Sequence, residues 1–221
     1  MKILLLVDAN SFIHRAFHAL PPLIGPSNQP TGALFGLTNI LLKSLNNLKP
    51  DYVAIAFDRP EPTFRKKIYE PYKATRQKAP DELISQIIES RKLVAVLGLA
   101  VFELAGYEAD DIIGTLAEKF KNQVKVIILT GDMDSLQLVE NGKIEVLSPK
   151  KGVSELIVYD ERAVLEKMGV PPDKVTDFKG LSGDSSDNIP GVPGVGPKTA
   201  VAAIEEFGSI EKLFKKIGEA H

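Results

Sequence analysis

Short apolar runs alternate with amphipathic stretches along the first 130 residues. The apolar runs, each the length of one buried strand, are Ile3–Val7, Tyr52–Phe57 and Val124–Leu129. The stretches with helical spacing of apolar residues are Gly32–Leu48, Leu83–Leu97 and Asp110–Phe120. Strands that alternate with helices predict an α/β fold, in which a mostly parallel central sheet is covered by helices on both faces.

The pattern changes after about residue 170. Pro171 and Pro172 stand together, and the stretch 182–197 holds four glycines and three prolines. A helical pattern over Lys198–Phe207 follows this stretch. We therefore expect an α/β domain over residues 1–170 and a smaller helical module with a glycine hairpin over residues 171–221.

The composition narrows the class of protein. The chain has 221 residues, of which 44% are hydrophobic, and this is enough to form a substantial core. Cysteine is absent, which excludes disulfides, thiolate-bound zinc and thiol nucleophiles. No apolar run reaches the ~18 residues of a membrane span, and the N-terminus lacks the features of a cleaved leader. We expect a monomeric cytoplasmic protein that does not enter a membrane.

The charges are segregated along the chain, although the net charge is only −2. Residues 64–78 hold one acid, Glu70, and six cations, namely Arg65, Lys66, Lys67, Lys73, Arg76 and Lys78. Cations mixed with aromatic residues are typical of surfaces that bind single-stranded nucleic acid, whereas an isolated charged run is more often a solvated loop. The position of this basic segment just after Asp58 favours the functional interpretation.

Nine acids lie next to strand ends or helix starts. They are Asp8, Asp58, Glu108, Asp110, Asp111, Asp132, Asp134, Asp184 and Asp187. Any one of them alone is more simply a helix cap or a turn residue, and Asp110 and Asp187 are the two that best fit a cap or a supporting role. The active sites of parallel sheets lie at the carboxyl ends of the strands, so we expect the set to gather there.

Such a cluster is costly unless cations neutralise it, because neighbouring carboxylates repel one another. Oxygen ligands without cysteine or histidine favour Mg²⁺ or Mn²⁺ over zinc. The histidines, His14, His18 and His221, form no nitrogen-ligand set. Two cations about 4 Å apart can hold a phosphate and activate water. The sequence therefore predicts phosphodiester hydrolysis, and Lys73 and Arg76 could stabilise charge on the scissile phosphate.

The glycine hairpin precedes a helix that starts with Lys198 and Thr199. Backbone N–H groups at a helix start can bind phosphate, and Gly194 and Gly196 would permit close approach. The spacing of a Walker loop is missing. We expect this turn to contact the backbone of a nucleic acid.

These motifs together resemble the 5′-nuclease domain of bacterial DNA polymerase I and its relatives, the phage 5′-exonucleases and flap endonucleases. The matching motifs, in family order, are Val7-Asp8, Ala56-Phe57-Asp58, Phe64-Arg65, Tyr72 to Arg76, Gly106 to Asp111, Thr130-Gly131-Asp132 with Asp134, Gly183 to Gly191 and the hairpin through Ala200. They cover nearly the whole chain.

The resemblance implies a metal-dependent 5′-3′ exonuclease or flap endonuclease of DNA replication and repair. It implies that the nine acids bind two Mg²⁺ or Mn²⁺ ions, that Lys73 and Arg76 act in catalysis, and that residues 60–82 form a helical arch. Residues 178–207 would form a helix-three-turn-helix that grips duplex DNA and holds K⁺. The expected DNA-binding residues are Arg65, Lys66, Lys67, Tyr72, Gly194, Gly196, Lys198 and Thr199. A polymerase would act in cis or in trans, since the chain is a stand-alone nuclease or a fragment.

Two alternatives stay open. A PIN-like ribonuclease would share the α/β sheet and the clustered acids, but it predicts neither the basic segment nor the glycine hairpin. A DNA-junction binding module without chemistry would keep the basic surfaces, but it gives no reason for nine intact acids.

Overall fold

The computed structural model describes residues 1–151 and 155–219. Its centre is a six-stranded sheet in the order β3-β2-β1-β4-β5-β6. The strands are β1 (Ile3–Asp8), β2 (Tyr52–Ala56), β3 (Ala100–Phe102), β4 (Lys125–Leu129), β5 (Ile144–Lys151) and β6 (Glu155–Tyr159). Strands β1 to β5 are parallel to one another, and β6 runs antiparallel to β5. The predicted α/β fold with a mostly parallel sheet is confirmed.

Nine α-helices surround the sheet in the described part of the chain. They are α1 (Ala9–Ala19), α2 (Gly32–Leu48), α3 (Phe64–Ile68), α4 (Asp81–Val96), α5 (Ala109–Phe120), α6 (Glu161–Met168), α7 (Val175–Ser182), α8 (Pro197–Phe207) and α9 (Ile210–Glu219). Within the same residues, no helix has both the length and the apolar composition to cross a bilayer.

The sheet has a separate core on each face because successive side chains of a strand point to opposite sides. Leu4 and Leu6 of β1 pack in the core that contains α5, α7 and α8. Leu5 and Val7 pack in the other core, with residues of α1, α2 and α4. Burial on both faces explains why β1, β2 and β4 are continuous apolar runs, which made them predictable.

The side on which successive strands are added to the sheet changes at β1. The chain moves from β1 to β2 and β3 on one side and then returns to place β4 on the other side of β1. A crevice opens at such a switch point, beyond the carboxyl ends of the strands, and it is where ligands of this fold class bind. The fold therefore directs the ends of β1, β2 and β4 to one crevice.

The helix in the basic segment is short. Only α3 is helical between β2 and α4, and turns follow it. Pro71 removes a backbone donor, and Lys73 has a positive φ of 54°, so a helix cannot continue through them. The arch expected over residues 60–82 thus consists of one helix of five residues and a turn region.

The glycine hairpin joins α7 to α8. A Cβ on Gly183 would lie 2.5 Å from the Gly191 nitrogen, so the two backbone segments pack closely only because both residues are glycine. The Val192 N–H donates to the Leu181 carbonyl at 2.8 Å. Gly194 has a φ of 82°, a conformation that favours glycine. His221, at the end of the expected helical module, lies outside the described residues.

The start of α2 depends on a side chain of α4. Thr31 gives no side-chain cap to α2. Instead, the buried Gln86 accepts hydrogen bonds from the N–H groups of Ala33 and Leu34 at 2.8 and 3.3 Å, and it donates to the Glu82 carbonyl at 3.1 Å. One amide therefore satisfies two helix N–H groups that no backbone acceptor reaches.

We predict that Gln86→Leu lowers the free energy of unfolding by about 1–3 kcal/mol, because the Ala33 N–H group stays buried without an acceptor. Urea unfolding measures this loss. Gln77→Leu, at an exposed glutamine, is the matched control and should change little. Equal losses in the two variants would show that the amide does not stabilise α2.

Candidate active site

Three neighbouring strands bring an aspartate to the crevice. Asp8 is the last residue of β1, Asp58 lies two residues beyond β2, and Asp132 lies three residues beyond β4. The strands are in register, with Asp8 beside Ala56 and Val7 beside Leu129. The structure thus brings these three predicted site residues to one edge of the sheet.

Asp8 is buried and fixed by hydrogen bonds. Its carboxylate accepts from the Ser11 N–H at 3.1 Å and from the Thr130 hydroxyl at 2.8 Å. Burial, with a smaller effect from the charge of Asp58, raises the pKa of Asp8 to about 6 even though the hydrogen bonds from Ser11 and Thr130 oppose the rise. The Asp58 carboxylate in turn accepts a hydrogen bond from the Ala109 N–H at 2.7 Å.

The start of α5 supplies three more acids. Glu108 and Asp111 cap the helix reciprocally, and the Glu108 N–H donates to Asp111 at 2.9 Å. Asp110 lies between them in the sequence but takes no part in this capping. Its Oδ1 atom is buried and has no hydrogen-bond partner among the described residues. Burial, followed by the charges of Asp8, Asp132 and Asp58, raises the pKa of Asp110 to about 8.

The remaining acids form a second group. Carboxylate oxygens of Asp134, Asp184 and Asp187 lie within 4.8 Å of one another. Asp134 belongs to the 3-10 helix Met133–Leu138, whereas Asp184 and Asp187 follow α7. Burial raises the pKa of Asp134. Burial would also raise the pKa of Asp184, but hydrogen bonds from Lys179 and Ser186 outweigh it and hold that pKa at about 2.

The cations of the basic segment face these acids. Arg65 forms a two-pronged ion pair with Asp111, with both distances 2.7 Å. Lys73 donates to Glu108 at 2.8 Å, and Arg76 donates to Asp187 at 2.7 Å. Burial alone would raise the pKa of Asp111, but the bonds from Arg65 and from the Glu108 N–H outweigh it and lower that pKa.

The other residues expected to bind DNA fall into two places. Lys66 and Lys67 are exposed on α3, and Gly194, Gly196, Lys198 and Thr199 are exposed around the start of α8. Tyr72 differs from the expectation. Its side chain is buried, with 7% of the residue exposed, and its hydroxyl donates to Glu108 at 3.0 Å, so the ring is not free to stack on a base.

Sequence reasoning missed several residues that hold the acids in place. Lys179 of α7 donates to Asp134 and, at 2.8 Å, to Asp184, so it joins the two parts of the second group. Thr130 bonds Asp8, and Arg91 donates to the Asp58 carbonyl at 2.7 Å. A lysine one helical turn before the acidic loop was a signal for Lys179, whereas Arg91 on α4 gave none.

A groove of about 860 Å³ runs past the acids. Its lining includes Ile68 and Tyr69 of the basic segment and residues of α5 and α7. Acids of both groups line it, among them Asp110 and Asp184.

The acids fit divalent cations. The unpartnered Oδ1 of Asp110 sits among like charges, where a metal ion would supply the missing partner. The oxygens of Asp134, Asp184 and Asp187 are close enough to share one ion. All the donors are carboxylates, which suits Mg²⁺ or Mn²⁺ better than zinc.

Two family models match the chain. The model described as 5′-3′ exonuclease, N-terminal resolvase-like domain, matches residues 3–169. The model described as 5′-3′ exonuclease, C-terminal SAM fold, matches residues 170–221. Together they cover both the sheet and the helices that follow it.

Curated relatives are similar over nearly the whole chain. DNA polymerase I of Bacillus subtilis (strain 168) is 45% identical over 219 residues, which are 99% of this chain and 25% of that protein. The 5′-3′ exonuclease of Aquifex aeolicus (strain VF5) is 42% identical over 216 residues, which are 97% of this chain and 73% of that protein. The chain spans about a quarter of the length of the DNA polymerase I relatives that it matches.

A solved structure shares the fold. The flap endonuclease of bacteriophage T5, in a pseudo-enzyme-product complex with DNA and metal ions, superposes with a TM-score of 0.76 at 21% identity. The match covers 97% of this chain and 78% of that one. It supports the arrangement of the sheet and the C-terminal helices as one fold.

We predict that Asp110→Asn stabilises the metal-free protein at alkaline pH. The folded-state pKa of Asp110, about 8, lies above its ordinary 3.8, so folding favours the protonated acid. Its contribution to stability is present below about pH 4 and is lost as the pH rises through about 8. Denaturant unfolding in EDTA should therefore show an advantage of the variant that grows over this interval.

The matched control is Asp173→Asn, at an aspartate whose side chain is 70% exposed. It should show no comparable pH-dependent gain. Mg²⁺ should then stabilise the wild type more than Asp110→Asn, because the variant lacks one ligand charge. An advantage that does not change with pH would contradict the assignment of Asp110 as a repelled, buried acid.

Proposed function

Since the chain belongs to the 5′-3′ exonuclease family, we propose that it is a structure-specific 5′-nuclease that hydrolyses phosphodiester bonds in 5′-flap, nicked or branched DNA. The observation that carries this proposal is one groove that is lined by six of the nine acids and by Arg65 of the basic segment, while Lys73 and Arg76 pair with two of those acids. Acids suit metal ions and cations suit phosphate, so the groove combines the two needs of phosphodiester hydrolysis.

We propose that the acids hold two Mg²⁺ or Mn²⁺ ions. Asp8, Asp58, Asp110 and Asp132 lie close enough to influence one another's charge, and they would serve one ion. The second group would serve the other ion. Glu108 and Asp111 lie between α5 and the basic segment and would complete the set. Bound ions would polarise the scissile phosphate and offset the charge that develops on it.

Lys73 and Arg76 are the catalytic side chains that we assign within this chain. Each now neutralises an acid, Glu108 or Asp187. If bound metal ions neutralised those acids, both cations would be free to contact a phosphate in the groove, and the Lys73 backbone would stay near it through its N–H bond to the Asp187 carbonyl at 2.9 Å. A fixed cation beside the reacting phosphate stabilises the transition state more than the bound substrate.

We further propose that residues 1–170 carry the chemistry and residues 171–221 hold the duplex. Gly196 is the N-cap of α8 and has no side chain to cap the helix, so the N–H groups beyond Pro197 are available to a phosphate. Lys198 and Thr199 would add contacts, and Lys66 and Lys67 would attract the single strand. The turn around Gly194 would hold K⁺ through backbone carbonyls.

A polymerase is the partner that we propose, and it would lie in the same chain or act separately. The support is that relatives about 44% identical are named DNA polymerase I and extend well beyond the matched region. A 5′-nuclease next to a polymerase would remove the strand that synthesis displaces, in the cytoplasm where DNA is copied and repaired.

A cleavage assay tests the function. The chain is incubated with labelled 5′-flap DNA, with flap RNA of the same sequence, and with Mg²⁺ or EDTA. We expect cleavage of the DNA flap near the junction only with Mg²⁺, and none by Asp110→Asn, a variant that remains folded. Preference for RNA would support a PIN-like ribonuclease, and tight binding without cleavage would support a junction-binding module.

The role of Lys73 has its own test. Lys73→Ala should lower the single-turnover rate at saturating flap by ~10²-fold, as for the loss of one preorganised donor. Affinity for the flap should change far less. Lys78→Ala removes an exposed cation of the same segment and should leave the rate unchanged. If Lys73→Ala weakens binding steeply but cleaves at the wild-type rate, Lys73 tethers the strand and takes no part in chemistry.

A further inference from the structure

A patch of four apolar side chains is exposed beside the groove. The exposed fractions are 37% for Phe64, 80% for Ile68, 53% for Leu104 and 46% for Tyr107. The Phe64 N–H donates to the Gly106 carbonyl at 2.9 Å, and this bond joins α3 to the loop before α5. The patch is therefore a fixed surface built from two segments that are far apart in the sequence.

The two rings of the patch leave aromatic surface uncovered. The Phe64 and Tyr107 ring centroids lie 5.5 Å apart, and the planes are tilted by 53°, so the rings do not stack flat on each other. The Arg65 guanidinium lies over the Phe64 ring at 4.7 Å and holds it in place. The Tyr107 hydroxyl has no hydrogen-bond partner among the residues that the structure describes.

The patch lies at the rim of the proposed catalytic groove. Phe64 precedes Arg65, which pairs with Asp111, and Tyr107 precedes Glu108. Ile68, one helical turn after Phe64, itself lines the groove. A strand whose phosphate lies at the acids therefore passes within reach of the two rings.

The charges around the patch indicate which kind of molecule would bind to it. Lys66 and Lys67 are exposed on the same helix, and within residues 1–151 and 155–219 neither has an acid partner. Apolar rings beside free cations suit a molecule with flat apolar faces and regularly spaced negative charges. A single-stranded nucleic acid has both, because each unpaired base offers a π-face and each link carries a phosphate.

We propose that Phe64 and Tyr107 form a stacking site for one unpaired base of the 5′ strand, close to the scissile phosphate. This inference rests on the proposed 5′-nuclease function and adds to it a subsite for a base. The site recognises no particular sequence, because every base has a π-face. It fixes the register of the strand, so that one chosen phosphate lies at the acids.

An abasic scan tests the stacking site. A single abasic nucleotide is moved through the flap and the first paired positions, and single-turnover rates are measured below saturation. Wild type should lose about tenfold at one position, the loss expected for one base–aromatic stack. Phe64→Leu and Tyr107→Leu should lose a similar factor on intact DNA and should then be insensitive to the abasic nucleotide, because the two losses share one contact.

The control variant is Tyr107→Phe, which keeps the ring and should behave as wild type. A binding assay in EDTA provides a readout that does not depend on cleavage. A 2-aminopurine placed at the sensitive position should be quenched when wild type or Tyr107→Phe binds, and quenched less by either leucine variant. Circular dichroism checks that every variant is folded.

The outcomes separate this inference from the proposed function. A wild type that cleaves flaps but shows a flat abasic scan overturns the stacking site and leaves the nuclease function standing. Leucine variants that lose the same factor on intact and abasic DNA also overturn it, and would indicate that the patch contacts protein. If wild type cleaves no DNA, the proposed function fails, and unchanged 2-aminopurine fluorescence across the flap then overturns the stacking site as well.

Discussion

Acidic side chains lie at the ends of three neighbouring strands, at the start of α5 and in a second group beside α7, and the surrounding structure must counter the repulsion among them. The repulsion is visible in Asp8 and Asp110, whose pKa values rise to about 6 and about 8 because they are buried near other acids. Such a site stores an unfavourable energy that only positive charge relieves. The fold thus creates a site that favours the binding of cations.

The protein supplies some of that positive charge itself. Arg65, Lys73, Arg76 and Lys179 each contact an acid, and three of them lie in a segment that is otherwise held by few buried side chains. The same cations that stabilise the metal-free protein are the ones suited to a phosphate. In the proposed function, metal binding and substrate binding would be coupled, because an ion that replaced a lysine at an acid would free that lysine for the substrate.

The two kinds of surface around the groove differ in chemistry and therefore in proposed role. The crevice at the switch point of the sheet fixes the acids on rigid strand ends, which holds ligand positions within narrow limits. The exposed rings of Phe64 and Tyr107 and the start of α8 lie outside it, and the contacts proposed for them would not depend on base sequence. The proposed function, which depends on the shape of the DNA and not on its sequence, needs this combination.

The sequence by itself determined the α/β class, the strands that carry Asp8 and Asp58, the helix Gly32–Leu48 and the 5′-nuclease family, which the family models confirm. These follow from local patterns and motifs. The edge strand β3 has only three residues, too few for its apolar pattern to stand out in the sequence. The burial of Tyr72 and the position of Lys179 between two acids, one of them 45 residues away, were decided only by the tertiary structure. Such contacts depend on how elements that are distant in the sequence pack together.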